Sequence, residues 1–169
     1  LERLRLGARA DREHRDHGAH PEDDPEHGEE RAQRVVAQAA APAQVWAVVK
    51  ADGYGHGAVL AARAAVAGGA QGLCVALVQE GVALREAGIE LPILVLSEQP
   101  EASLEAAVRH RLAVAVYSDE QISALTAYGA SNPPVHLKID TGMRRVGAAE
   151  HQAVGLADTI AASPAVQLE

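Results

Sequence analysis

The sequence contains no phenylalanine, and aromatic residues make up 2% of its 169 positions. A core without aromatic rings has to be assembled from Ala, Val, Leu and Ile, and the 48% hydrophobic fraction is large enough to supply one. The single cysteine excludes a disulfide scaffold and a cysteine-rich zinc site, and fits a reducing compartment. Positive charge is also scarce. A formal net charge of -8 and a pI near 5.5 argue against a nucleic-acid or anionic-membrane binder, since both reward a basic surface. No apolar run approaches the ~18 residues that a bilayer span needs. The first residues carry no apolar h-region, so no secretory signal is expected. The length suits one domain better than two. These absences leave an Ala-rich, soluble and cytoplasmic globular protein as the expectation.

Composition changes along the chain. Residues 1–34 hold seven basic and ten acidic side chains and four of the eight histidines, with almost no large apolar residue after Leu6. No hydrophobic period runs through them, and the expectation is a disordered or non-native arm. His14, His17, His20 and His27 are spaced irregularly with no rigid element to hold them, so no metal site is assigned. A reading-frame change upstream of Val35 would produce the same texture.

From Val35 onward the pattern alternates. Val45–Val49 is a short, nearly continuous apolar run, as for a strand buried on both faces. Ala58–Ala67 has helical spacing with Val59, Ala62 and Val66 on one side, closed by Gly68-Gly69. Strands at Gly72–Ala76, Pro92–Leu96, Leu112–Val116 and Val135–Ile139 alternate with helices at Val78–Ala87, Glu101–His110, Ser118 to about Gly129, and Ala149–Ala162. Ser118 reads as a helix cap followed by Asp119 and Glu120. Val166–Leu168 begins a sixth strand. Such alternation with short connections predicts a parallel sheet with right-handed crossovers, closed either as a doubly wound sheet or as a (β/α)8 barrel. Five βα repeats and the start of a sixth strand do not close eight strands, so the barrel reading predicts a partial barrel.

Two clusters carry chemistry. Lys50 ends the first strand in Val48-Val49-Lys50-Ala51-Asp52-Gly53-Tyr54-Gly55-His56-Gly57. A lysine finishing a buried strand is unusual, and at the mouth of a barrel its amine is suited to condense with an aldehyde. A lysine snorkelling out to water fits the position equally well. The three glycines permit close backbone approach to a ligand, and the Tyr54 phenol can meet a phosphate oxygen. Their spacing does not match the dinucleotide fingerprint. The second cluster, His136-Leu137-Lys138-Ile139-Asp140-Thr141-Gly142-Met143-Arg144-Arg145-Val146-Gly147, ends the fifth strand. Alternation puts Lys138 and Asp140 on one face, and Arg145 is a candidate for gripping an anionic oxygen. Ordinary surface charges on a solvated loop are the competing reading.

The stretch Ala47–Gly57 resembles the pyridoxal-phosphate attachment motif of alanine racemases, and His136–Gly147 resembles the family's second motif. Gln79-Glu80-Gly81, Leu84–Gly88 and Ile93–Gln99 are similar to the same family, so the likeness covers about residues 35–169, read as the N-terminal part of the cofactor-binding barrel. It implies that Lys50 holds pyridoxal 5'-phosphate and acts as the base on the D-alanine face. It further implies that Tyr54 contacts the phosphate, and that Arg145 binds the cofactor's phenolic oxygen and lies beside the substrate carboxylate. Lys138 would be the carbamylated lysine that holds Arg145, with burial relieved because a cation becomes an anion paired with Arg. The implied function is conversion of L-alanine to D-alanine for cell-wall peptidoglycan, in a homodimer.

The sequence also departs from the family. The acidic strand and helix expected before the first motif are not recognisable in 1–34. Neither the later barrel strands nor the second domain, which brings the opposite base from the partner subunit, has a counterpart. The expectation is therefore an N-terminal fragment that is inactive alone. A non-catalytic pyridoxal-phosphate-binding barrel and a non-functional remnant are the alternatives.

Overall fold

The computed structural model describes residues 34–128 and 131–169. The proposed arm, apart from Arg34, and the expected helix end at Gly129 lie outside the described residues. A helix over 34–40 (α1) precedes the first strand. Six strands follow: β1 (Trp46–Val48), β2 (Gly72–Val75), β3 (Ile93–Val95), β4 (Ala113–Val116), β5 (Pro134–Leu137) and β6 (Gln167–Leu168). Between them lie α2 (Ala58–Ala67), α3 (Val78–Glu86), α4 (Glu101–Arg109), α5 (Asp119–Thr126) and α6 (Ala153–Ala162), the last entered through a 3-10 turn at Glu150–Gln152. The strands pair in chain order and every pairing is parallel.

The sheet is rolled. Trp46 on β1 and His136 on β5 meet edge to face with ring centroids 5.8 Å apart. In a flat sheet, strands four positions apart would stand ~19 Å from one another, so the roll closes most of that distance. The arrangement is a partial (β/α)8 barrel with the sheet not closed, and the strand order in chain sequence rules out the doubly wound alternative that the alternation had also allowed. Gly72 makes room for the roll: a Cβ there would lie 2.3 Å from the Trp46 indole.

Rolling gives the sheet two unlike faces. The outer face carries Ala47, Val49, Leu73, Val75, Ile93, Val95 and Val114 into a core with α2 and α3, while Val116 and Val135 join a second core with α4, α5 and α6. Ala, Val, Leu and Ile do build these cores, as the aromatic deficit requires. The inner face is different. Val48 is 42% exposed, which corrects the expectation of a first strand buried on both sides. That strand has one neighbour, β2, and its inward residues face the open trough. Of the stripe expected on α2, Ala62 and Val59 pack on the core and Val66 does not. Ala62, Ala64 and Ala65 are buried and Val66 is 40% exposed, because small residues let the helix approach the sheet closely.

Candidate active site

In a parallel sheet all strand C-termini share one rim, so the segments following β1, β2, β3, β4 and β5 converge there. Lys50 leaves β1 at this rim and is half-buried, and Lys138 leaves β5 at the same rim, also half-buried. These are the sequence's two lysines among fifteen basic side chains.

The segment after Lys50 is a left-handed turn. Ala51, Asp52 and Gly53 have φ values of 52°, 54° and 61°, and Tyr54 follows at 55°. Non-glycine residues in this region cost about 1 kcal/mol each, so the turn needs external support. Gly53 N–H donates to the Val49 carbonyl at 3.0 Å, and Gly57 N–H to the Asp52 carbonyl at 2.9 Å. Asp52 Oδ1 accepts from Ala58 N–H at 2.7 Å, which caps α2 from outside. At Gly53 the positive φ coincides with close packing: a Cβ would lie 3.0 Å from that of Ala61. Tyr54 is carried outward and is 60% exposed.

Side chains of the next loops tie the rim together. Glu80, on the first turn of α3, accepts from Ala51 N–H at 2.6 Å through Oε1, and from Ala76 N–H at 2.7 Å and Leu77 N–H at 3.0 Å through Oε2. Gln99 is buried, accepts from Val78 N–H at 3.0 Å and donates to the Ala76 carbonyl at 3.0 Å. Tyr117 O–H donates to Glu98 Oε2 at 2.9 Å. Lys138 Nζ donates to the Leu96 carbonyl at 3.1 Å. Apart from the local bonds of Glu80 to Ala76 and Leu77, each contact joins neighbouring loops, or loops two strands apart.

The Arg145 loop returns to the strand it left. Lys138 N–H continues the ladder to the Val116 carbonyl at 2.9 Å, and Ala148 N–H donates back to the Lys138 carbonyl at 2.8 Å. Between these points Asp140 accepts from Gly142 and Arg144 N–H through Oδ1 and from Arg145 N–H through Oδ2, each at 2.9 Å. Those donors, Arg144 N–H foremost and Gly142 next, hold the Asp140 carboxyl below its usual range. Gly147 closes the loop with φ 140°, and a Cβ there would come within 2.7 Å of Asp140 N. The Arg145 side chain is exposed. Lys138 and Arg145 are thus joined through backbone, and among the described residues neither side chain hydrogen-bonds the other.

The four residues singled out from the sequence lie on two loops of one rim. Their chemistry fits a phosphorylated aldehyde: two amines, a phenol and a guanidinium. Sequence reasoning did not assign a role to Glu80, Gln99 or Asp140. The available signal for Glu80 was an acidic residue three positions after the strand-to-helix junction, as in a capping box. Among the described residues no group of three His, Cys, Asp or Glu side chains comes together as a metal site, and no helix is long and apolar enough to cross a membrane.

A rolled parallel sheet with a lysine closing its first strand and polar loops gathered at the C-terminal rim defines a (β/α)-barrel protein of the kind whose site lies at that rim. Comparison with known proteins narrows the class. Residues 24–169 match the family described as "Alanine racemase, N-terminal domain", and the chain belongs to that family. It is 44% identical over 126 residues to an alanine racemase of Desulfovibrio desulfuricans, covering 72% of this chain and 34% of the relative. It is 41% identical over 133 residues to one of Sorangium cellulosum, covering 75% and 35%. Among solved structures, alanine racemase from E. faecalis superposes with a TM-score of 0.78 at 37% identity, over 83% of this chain and 40% of that one. The Corynebacterium glutamicum enzyme gives 0.79 at 34% identity, over 85% and 42%. The chain therefore spans about a third of the length of the curated relatives it matches.

Proposed function

We propose that this chain carries the cofactor-holding side of an alanine racemase, acting on alanine with pyridoxal 5'-phosphate, in the cytoplasm and within a homodimer. The observation that carries the proposal is the placement of Lys50: half-buried, at the C-terminal end of β1, and followed directly by a braced left-handed turn. When bound, pyridoxal phosphate supplies a conjugated ring that stabilises the charge left on a substrate carbon after proton removal. Lys50 would hold the cofactor through its amine and exchange a proton with one face of the substrate's α-carbon. Tyr54 would bind the phosphate. Arg145 would bind the phenolic oxygen and orient the substrate carboxylate by charge-assisted hydrogen bonds. Lys138, carbamylated, would hold Arg145. The Lys138 amine, whose partner here is a neutral carbonyl, would gain a charge opposite to that of the guanidinium.

Racemisation needs a proton-transfer group on each face of the carbon. Lys50 serves one face, and no described residue is assigned to the other. The 169-residue chain is therefore expected to bind cofactor without interconverting L- and D-alanine at a rate comparable to the relatives. The test is incubation with pyridoxal phosphate, borohydride reduction and peptide mass mapping. Label is expected on Lys50, with about tenfold less incorporated by Lys50→Ala, a ratio set by the loss of a covalent anchor. Equal incorporation by the Lys50→Ala chain removes Lys50 from the role.

A further inference from the structure

Ala51 N–H has no place in the sheet. The ladder from β1 ends with Val49 N–H on the Cys74 carbonyl at 2.9 Å, and the chain then turns left-handed. Ala76 and Leu77 N–H lie past the end of β2, where the first donors of α3 also lack helical partners. One carboxylate, that of Glu80, takes all three donors. From this geometry we infer that Glu80 is the positioning residue of Lys50. Its carboxylate fixes the peptide plane on the C-terminal side of Lys50, the Gly53 N–H bond to the Val49 carbonyl at 3.0 Å fixes the plane on the N-terminal side, and the two together set the direction in which the lysine side chain leaves the rim.

The alternatives to this bracing are unfavourable. Without Glu80, Ala51 N–H must find water, and the left-handed alanine loses the bond that offsets its steric cost. Glutamine in the same place would present one oxygen and one N–H-bearing nitrogen. It would hold one of the two loops and repel the donors of the other. Glu80 touches no reacting atom, and it acts through the backbone of Ala51. The inference rests on the reading of Lys50 as the cofactor-bearing amine, but its test is separable from that reading.

The chain has two lysines, so the labelling of two lysine peptides is compared, apart from that of the α-amine. Competitive acetylation with trace acetic anhydride is run on the full chain, on Glu80→Gln and Glu80→Ala, and on Arg85→Ala, which loosens the far ends of α3 and α4. Loss of charge-assisted bonds of this kind is expected to change the Lys50-to-Lys138 labelling ratio by about fivefold or more in both Glu80 variants. In Arg85→Ala the melting temperature falls and the ratio stays as in the parent. An unchanged ratio in the Glu80 variants overturns the inference, and so does an equal change in Arg85→Ala. Should the Glu80 variants fail to fold, amide hydrogen exchange in the parent decides: Ala51 protected together with Ala76 and Leu77 supports the role, and Ala51 exchanging like a free peptide overturns it. Trapping of pyridoxal phosphate at Lys50 is measured alongside. Its absence in the parent would defeat the proposed function, and the cofactor-free ratio would still decide for Glu80.

Discussion

Tyr117 couples two rim loops through one hydroxyl. Removal from water, followed by the hydrogen bond to Glu98 and the charge of that carboxylate, pushes its pKa up to about 12. The folded value lies above the unfolded 10.0, so the contribution to stability is complete below pH 10 and is lost as the pH rises through about 12. Urea unfolding of Tyr117→Phe should therefore show a deficit against the parent at pH 8 that shrinks toward pH 12, and a deficit independent of pH would contradict the assignment. At this scale the sequence is informative where chemistry is rare. Lys50, Tyr54, Lys138 and Arg145 stand out because reactive or charged side chains sit at strand ends. Glu80 does not, because its partner Ala51 is 29 positions away and no local pattern links them.

Among the elements, the neighbouring helices α3 and α4 depend on Arg85. Its guanidinium donates to the carbonyls of Ile89 and Leu91 at 2.7 Å, His110 at 3.0 Å and Arg111 at 3.1 Å, closing the C-terminal ends of both helices. Burial, and then the Arg111 charge, lower its pKa from the usual arginine value without threatening its charge near neutrality. Arg85→Ala leaves those carbonyls without their donor and should cost ~2–3 kcal/mol, which corresponds to a fall in melting temperature of about 4–12 °C by circular dichroism. A fall under a degree would show that water replaces the guanidinium. Element bounds were legible in part: β5 ends at Leu137 and not at Ile139, and α6 begins at Ala153 and not at Ala149. Ala58–Ala67 is helical over the expected span, and the Ser118 hydroxyl accepts from Gln121 N–H at 3.3 Å as a cap should. The buried face of α2 was legible in part: Val59 and Ala62 pack on the core as expected, whereas Ala64 and Ala65 are buried and Val66 is exposed.

For the whole molecule, the decisive feature is the rolled sheet with unpaired outer edges at β1 and β6 among the described residues. Unpaired strand edges and inward apolar side chains such as Val48 favour association between copies. Light scattering of the purified chain should rise with concentration, and Val48→Lys, which places a charge in the trough beside the β1 edge, should reduce it. A parent that stays monomeric over the same range would show that the edges are covered. The alternation of strand and helix signals gave a parallel sheet with crossovers of one hand but left a doubly wound sheet and a partial barrel both open, and the strand order β1 to β6 in chain sequence decides for the partial barrel.

The sequence by itself determined the order and type of the elements, the aliphatic core and the four rim residues, since hydrophobic period and chemically costly side chains are local signals. Only the tertiary structure decided that Trp46 reaches His136 across the roll, that Val48 faces an open trough, and that one glutamate braces the turn after Lys50. These depend on distances between residues far apart in the chain, which are set by sheet curvature and loop packing and are not written in any single segment.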